Sequence, residues 1–152
     1  MSPLRVDVAN VQDVLPVSIR QLRRAVRHVL QSHGVPTAVV SVVVAENAAL
    51  RRLKRRYFGR NVITDVISFD FRDDPRDKRL DCEIVINAQR AEKIAAQRGT
   101  DPFAELNLYL VHGLLHQLGY DDRRPRAAHA MHAREDQLLA ELGFGPVYAR
   151  TK

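Results

Sequence analysis

The feature that most constrains the fold is a helix whose two ends are both marked in the sequence. Asp101 can cap its first turn, and Pro102 suits the first helical position because its missing N–H would be unpaired there anyway. The apolar segment that follows runs to about Leu118, and Gly119 can end it in a left-handed conformation. The sequence therefore predicts a long helix with a sharp turn directly after it.

Two histidines lie four residues apart in this helix, and a carboxylate follows the turn. His112 and His116 share one helical face, so both imidazoles can reach one ion. Beyond Gly119, Asp122 can supply a third ligand. Asp121 could replace it, but we expect Asp121 to be a supporting carboxylate next to the ligands. Three protein ligands leave a position for water or substrate, which is typical of a catalytic zinc site. We predict one zinc ion per chain.

The spacing of these residues also matches the long motif of metzincin proteases, which have two histidines, a glycine and a third ligand. In that motif a glutamate directly follows the first histidine as the general base. Gly113 occupies this position here, which argues against a peptidase. A second pair, His129 and His132, lies in the last predicted helix and is expected at the surface.

Strands and helices alternate along the rest of the chain. Alternating or continuous apolar residues predict strands near residues 4–8, 39–44, 66–71 and 83–86. Helices are predicted after the capping residues Ser18, Asn47 and Asn87 and from Pro125 onward. The pattern indicates one α+β domain over residues 1–152, with a mixed sheet of about four strands and about five helices.

Charge and composition restrict the class of protein further. The net charge of +6 and the pI of about 10.0 favour a polyanionic partner, although a solvated basic surface explains them equally well. No apolar run reaches the roughly 18 residues of a membrane helix, and the N-terminus does not resemble a secretory signal. Cys82 is the single cysteine and is expected to be a small buried residue. We therefore expect a cytoplasmic protein without a membrane partner.

The segment His-Gly-Leu-Leu-His-Gln-Leu-Gly-Tyr-Asp-Asp at residues 112–122 resembles the signature of the YbeY rRNA-maturation endoribonucleases. That signature has His, Gly, two residues, His, two residues, Gly, Tyr, Asp and His. Thr-Asp-Val-Ile-Ser-Phe at residues 64–69 and Cys-Glu-Ile-Val-Ile at residues 82–86 resemble two further family segments. Residues 91–99 and 131–143, with Glu135, follow the family pattern as well. The resemblance covers roughly residues 40–143.

The resemblance implies a zincin-like metal helix and zinc-dependent cleavage of single-stranded RNA. It also implies a role in maturing the 3′ end of 16S ribosomal RNA, in ribosome quality control, and an association with components of the small ribosomal subunit. The family's first two zinc ligands correspond to His112 and His116, and the third to Asp122. An aspartate there should make a metal-bound water less acidic and could favour another divalent ion.

A second departure concerns an arginine that the family has after the tyrosine of its basic loop and uses in RNA cleavage. Here Phe58 follows Tyr57, and Arg56 or Arg60 is expected to replace the guanidinium as a clamp for the phosphoryl group. With Asp121, these two arginines complete the set of candidate catalytic residues. The RNA-binding set is expected to be Arg51, Arg52, Arg55, Arg56 and Arg60.

Two other functions remain open from the sequence. With Asp122 and Phe58 altered, the chain could be an RNA-binding ribosome-assembly factor that has lost its chemistry. It could also be a metal-dependent hydrolase of another substrate. Gly113 and the basic segment argue against that third possibility.

Overall fold

The computed structural model describes residues 3–74 and 76–145. The charged segment of residues 72–79 is predicted from its sequence to be a surface loop, and its Pro75 lies outside the described residues. The described part of the chain forms four strands and five helices. In chain order they are β1 (Leu4–Asn10), α1 (Ile19–Ser32), β2 (Ala38–Ala45), α2 (Asn47–Phe58), β3 (Val66–Asp70), β4 (Leu80–Asn87), α3 (Ala88–Arg98), α4 (Pro102–Gln117) and α5 (Pro125–Glu141).

The strands form one mixed sheet in the order β1-β2-β4-β3. The neighbours β1 and β2, and β2 and β4, are parallel, whereas β3 runs antiparallel to β4 at the edge. This confirms the predicted α+β fold with a mixed sheet. The fourth strand begins at Leu80, three residues before its predicted start, because residues 80–82 continue the pairing with β2 despite the polar Asp81.

The helices cover the two faces of the sheet unequally. Helices α1 and α4 pack on one face together with α3, and α5 packs on α4. The main core lies between this helical layer and the sheet. On the opposite face, α2 covers a smaller apolar cluster formed by Ala45, Leu50, Ile67 and Val85. The metal helix α4 is therefore central, with buried residues along almost its whole length.

Gly113 allows α4 to approach the sheet closely. A Cβ atom at this position would lie 2.9 Å from Cγ2 of Ile84 and 3.1 Å from Cγ2 of Val66. Both neighbours are β-branched and stiff, so they cannot move away easily. The packing of α4 on β3 and β4 therefore requires glycine at this position. In the protease motif the same position is the glutamate that acts as general base.

Three of the predicted helix caps are present. The side chains of Ser18, Asn87 and Asp101 accept hydrogen bonds from backbone N–H groups in the first turns of α1, α3 and α4. Such bonds satisfy donors that the helix itself leaves unpaired. Pro102 stands at the first position of α4, as predicted.

The prediction that Asn47 caps α2 is wrong. Asn47 is the first residue of the helix, and Glu46 is at the cap position without a side-chain cap bond. The Asn47 Oδ1 atom instead accepts a 2.8 Å hydrogen bond from Asn87 Nδ2. Since Asn87 is fully buried, its amide group needs partners inside the protein. This tertiary demand redirects the Asn47 side chain.

Within the described residues, no helix combines the length and the apolar character that crossing a membrane would require.

Candidate metal centre

Three side chains converge at the C-terminal end of α4, two from its last turns and one from the loop that follows. His112 and His116 lie one turn apart, and their Nε2 atoms are 3.1 Å from one another. The Oδ2 atom of Asp122 lies 3.8 Å from His112 Nε2 and 3.7 Å from His116 Nε2. The structure thus brings together the three residues that the sequence singled out as ligands.

These distances fit a small divalent ion. Zinc holds nitrogen and oxygen ligands at about 2.0–2.2 Å in a tetrahedron, which places neighbouring ligand atoms about 3.3–3.6 Å apart. The three separations among His112, His116 and Asp122 are close to this range. Two imidazoles and one carboxylate are also a donor set that zinc accepts, and they leave a fourth position open.

His112 is oriented by a buried carboxylate from α5. Its Nδ1–H donates a 2.5 Å hydrogen bond to Oε1 of Glu135, a residue that is only 1% exposed. The other oxygen of Glu135 lies 3.2 Å from Nδ1 of His132. With its proton on Nδ1, the neutral imidazole of His112 presents the lone pair of Nε2 to the ion position. His132 is thus half-buried and linked to the site, whereas His129 is exposed as expected.

His116 is oriented by the turn that follows α4. Its Nδ1–H donates a 3.2 Å hydrogen bond to the backbone oxygen of Tyr120. The turn is made possible by Gly119, which has a φ of +100°. The hydroxyl of Tyr120 lies 3.1 Å from Nε2 of His33, at the end of α1. Helix α1 therefore anchors the loop that carries Asp122.

The surroundings of His112 change its pKa in opposing directions. Burial lowers the pKa by disfavouring the charged imidazolium, but the hydrogen bond and the charge of Glu135 raise it, with smaller contributions from Asp122 and Asp65. The net effect is a pKa above the ordinary value. The excess of negative charge around the imidazole is the environment that a cation would neutralise.

The two adjacent carboxylates of the loop have different partners. Asp122 is exposed and points to the histidines. Asp121 forms hydrogen bonds with the side chain and the backbone N–H of Arg123, and this pairing lowers its pKa. These contacts favour Asp122 over Asp121 as the ligand.

The arginines of the predicted RNA-binding set lie on the surface. They are exposed on α2 and in the following loop: Arg51, Arg52, Arg55, Arg56 and Arg60. The loop of residues 59–65 connects the end of α2, next to Phe69, with the start of β3 at Val66. The loop therefore leads from the α2 side of the sheet to the edge strand β3, which also contacts α4.

Reasoning from the sequence missed two contributions to the neighbourhood of the site. Glu135 was noted only as part of a family segment, and its position one helical turn after His132 was the available signal. Arg90, in the first turn of α3, forms an ion pair with Asp65, the residue before β3. Since Val66 contacts the position of Gly113, this pair lies near His112. Only the tertiary structure, which brings the start of β3 next to the start of α3, reveals it.

The single cysteine, Cys82, is buried and is not expected to react. Cys82 is 1% exposed, and burial raises the pKa of its thiol to about 12. It lies in the core as predicted. A buried thiol that stays protonated is a poor nucleophile.

Comparison with known proteins shows which family this chain resembles. A family model described as "Endoribonuclease YbeY" matches residues 7–143. The chain is 34% identical over 149 residues to the endoribonuclease YbeY of Geobacter sulfurreducens, covering 93% of this chain and 98% of that protein. It is 32% identical over 141 residues to the endoribonuclease YbeY of Carboxydothermus hydrogenoformans, covering 91% and 97%.

A solved structure supports the fold independently. The solution structure of a Thermotoga maritima protein superposes with a TM-score of 0.63 at 17% sequence identity, covering 90% of this chain and 88% of that chain. At this level of identity the likeness concerns the fold alone.

Proposed function

The chain belongs to the YbeY endoribonuclease family, and from this premise we propose that it is a zinc-dependent endoribonuclease that cleaves single-stranded RNA. The observation that carries the proposal is the convergence of His112 Nε2, His116 Nε2 and Asp122 Oδ2 within 3.8 Å of one another. The two imidazoles are already oriented by Glu135 and by the Tyr120 carbonyl. A zinc ion bound there would supply Lewis acidity to a phosphodiester and acidify a water molecule.

The residues around the ion position would bind and orient the substrate. Glu135 would keep the proton of His112 on Nδ1, and the carbonyl of Tyr120 would do the same for His116. Arginines of α2 and its loop would hold phosphate oxygens through charge-assisted hydrogen bonds. Arg56 or Arg60 would provide the guanidinium that the family has where this chain has Phe58.

The ligand set is tested by metal content and RNA cleavage measured together. Purified protein should contain about one zinc per chain and cleave a single-stranded RNA, and both properties should be lost in His116→Ala. The His129→Ala variant is a matched control, because His129 is an exposed histidine whose loss should leave both properties intact. Cleavage by a nuclease-free preparation of His116→Ala would contradict the proposal.

Two substitutions that restore the family residues test the departures. Asp122→His should keep or tighten zinc binding, since a third imidazole replaces the carboxylate at the same position. Phe58→Arg should leave metal content unchanged and raise the cleavage rate at saturating RNA only if neither Arg56 nor Arg60 already supplies the guanidinium. Separate losses from Arg56→Ala and Arg60→Ala identify which of the two acts.

The alternative is an RNA-binding assembly factor without chemistry, and the two departures from the family residues, Asp122 and Phe58, favour it. Salt-dependent RNA binding without metal-dependent cleavage would support this alternative. For either function we propose ribosomal RNA as the substrate class, with 16S rRNA 3′-end processing and ribosome quality control as the roles. The partners would be small-subunit components and the location the cytoplasm.

A further inference from the structure

Two aromatic side chains at the end of α2 are exposed although the metal site does not use them. Tyr57 is 56% exposed and Phe58 is 47% exposed. Both contact Phe69 on β3: the ring centroids are 5.4 Å apart for Tyr57, edge to face, and 6.1 Å apart for Phe58. These three residues form the aromatic cluster. Its half-exposed rings are held in place by one another and by the sheet.

The aromatic cluster lies within a field of positive charge. Helix α2 carries five cationic side chains and no acidic one: Arg51, Arg52, Lys54, Arg55 and Arg56. The Lys54 ammonium lies 4.5 Å from the centroid of the Phe58 ring, and the Arg56 guanidinium carbon lies 5.4 Å from that of Tyr57. Cations thus lie close to both exposed rings, and this concentration of positive charge favours an anionic partner.

The aromatic cluster and the metal site are separated by a single strand. Phe69 points to the α2 side of β3, whereas the adjacent Ser68 points to α4 and accepts a 3.1 Å hydrogen bond from Gln117 Nε2. Gln117 directly follows the ligand His116. Since β3 is an edge strand, a flexible polymer can pass over this edge from the aromatic cluster to the metal site.

We propose that the aromatic cluster is a stacking site for bases of single-stranded RNA, with Phe58 as its principal contact. The inference rests on the proposed function and extends it to residues outside the arginines and the metal ligands. Proteins that bind single strands combine a positively charged groove with aromatic side chains on which bases stack. Phe58 would add base stacking to the phosphate contacts that the arginines of α2 provide.

A second exposed phenylalanine provides the contrast. Phe71 is 54% exposed, but it shares its surface depression with four aspartates and two arginines: Asp73, Asp74, Asp77, Asp81, Arg72 and Arg79. The excess of acidic groups there repels phosphates. Ring exposure alone therefore does not distinguish Phe58 from Phe71. The positive charge around Phe58 is what favours RNA binding at that ring.

The test measures binding of a short 2′-O-methyl RNA oligonucleotide by the metal-loaded protein, with the oligonucleotide checked for integrity afterwards. Phe58→Leu, which keeps an apolar side chain but removes the ring, should weaken binding about tenfold. The slope of affinity against salt should not change, because no charge is lost. Phe71→Leu should bind as the wild type does. Phe58→Trp should retain affinity, because any aromatic ring at this position can stack on a base, and an unchanged unfolding temperature of Phe58→Leu excludes a folding defect.

An abasic oligonucleotide with the same phosphates isolates the stacking contribution. The wild type should bind it more weakly than the normal oligonucleotide, and Phe58→Leu should bind it no more weakly than the wild type does. Unchanged affinity of Phe58→Leu for the normal oligonucleotide would overturn the inference and leave the surface to a protein partner. An equal loss in Phe71→Leu would overturn it too. If the protein stacks bases but cleaves no RNA, only the proposed nuclease function fails.

Discussion

At the scale of single residues, the carboxylate of Glu135 orients a candidate metal ligand without being one itself. It is buried and shared between His112 and His132, one on each oxygen. A histidine pair satisfies both oxygens of a carboxylate that would otherwise be costly to bury. The same contacts fix the tautomer of the metal ligand.

We predict that Glu135→Gln lowers zinc affinity about 10- to 100-fold, because the amide accepts a weaker hydrogen bond from His112 and no longer supplies a negative charge. Competition with a chromophoric chelator measures the affinity. Glu141→Gln is the control, since Glu141 is on the same helix but pairs with His28 on the surface. Equal zinc affinity of Glu135→Gln and the wild type would show that Glu135 only fills space.

Gly113 provides a second prediction at this scale. Gly113→Ala should lower the free energy of unfolding by about 1 kcal/mol, because crowding against Ile84 and Val66 exceeds the gain in helix propensity. Chemical denaturation measures the change. In an Ile84→Ala background the methyl group that causes the closest contact is absent, so the same substitution should cost less. A stabilising effect of Gly113→Ala would contradict the packing argument.

At the scale of elements, the beginning of α4 contributes to the stability of the whole metal helix. The Asp101 side chain accepts a hydrogen bond from Phe103 N at 2.9 Å, and Pro102 fixes the first turn. Asp101→Ala should therefore lower the free energy of unfolding by about 1 kcal/mol. Arg124→Ala at the cap of α5 is the matched control, because no side-chain cap bond exists there. Equal effects of the two substitutions would rule out the capping explanation.

At the scale of the whole molecule, the metal site joins elements that are distant in sequence. Helix α4 and the following loop supply the three candidate ligands, α5 supplies Glu135, and α1 holds the loop through His33 and Tyr120. An ion bound at this junction favours the folded chain over the unfolded one. Metal binding should therefore be visible in global unfolding.

We predict that zinc at about 100 times its dissociation constant raises the free energy of unfolding by about 2.7 kcal/mol. In a chain of this length that corresponds to a rise of roughly 5–10 °C in the unfolding temperature. Differential scanning calorimetry with zinc and with excess chelator measures the difference. It should disappear in Asp122→Ala and persist in Asp121→Ala. A similar loss in both variants would mean that the two aspartates share the ligand role.

The sequence by itself determined what depends on local spacing. The caps at Ser18, Asn87 and Asp101 act on their own first turns, and His112 and His116 share a face because helical periodicity requires it. The mixed α+β fold followed from the order of elements, and the choice of Asp122 as a candidate ligand followed from the Gly119 turn.

The tertiary structure alone decided what depends on contacts between distant segments. Asn47 gives up its capping role because buried Asn87 needs a partner. Glu135 reaches His112 only because α5 packs on α4. The aromatic cluster forms because the end of α2 meets Phe69 on the edge strand. These contacts give buried polar groups their hydrogen-bond partners and reduce the exposed apolar area. Which groups become buried is decided only when the elements pack against one another.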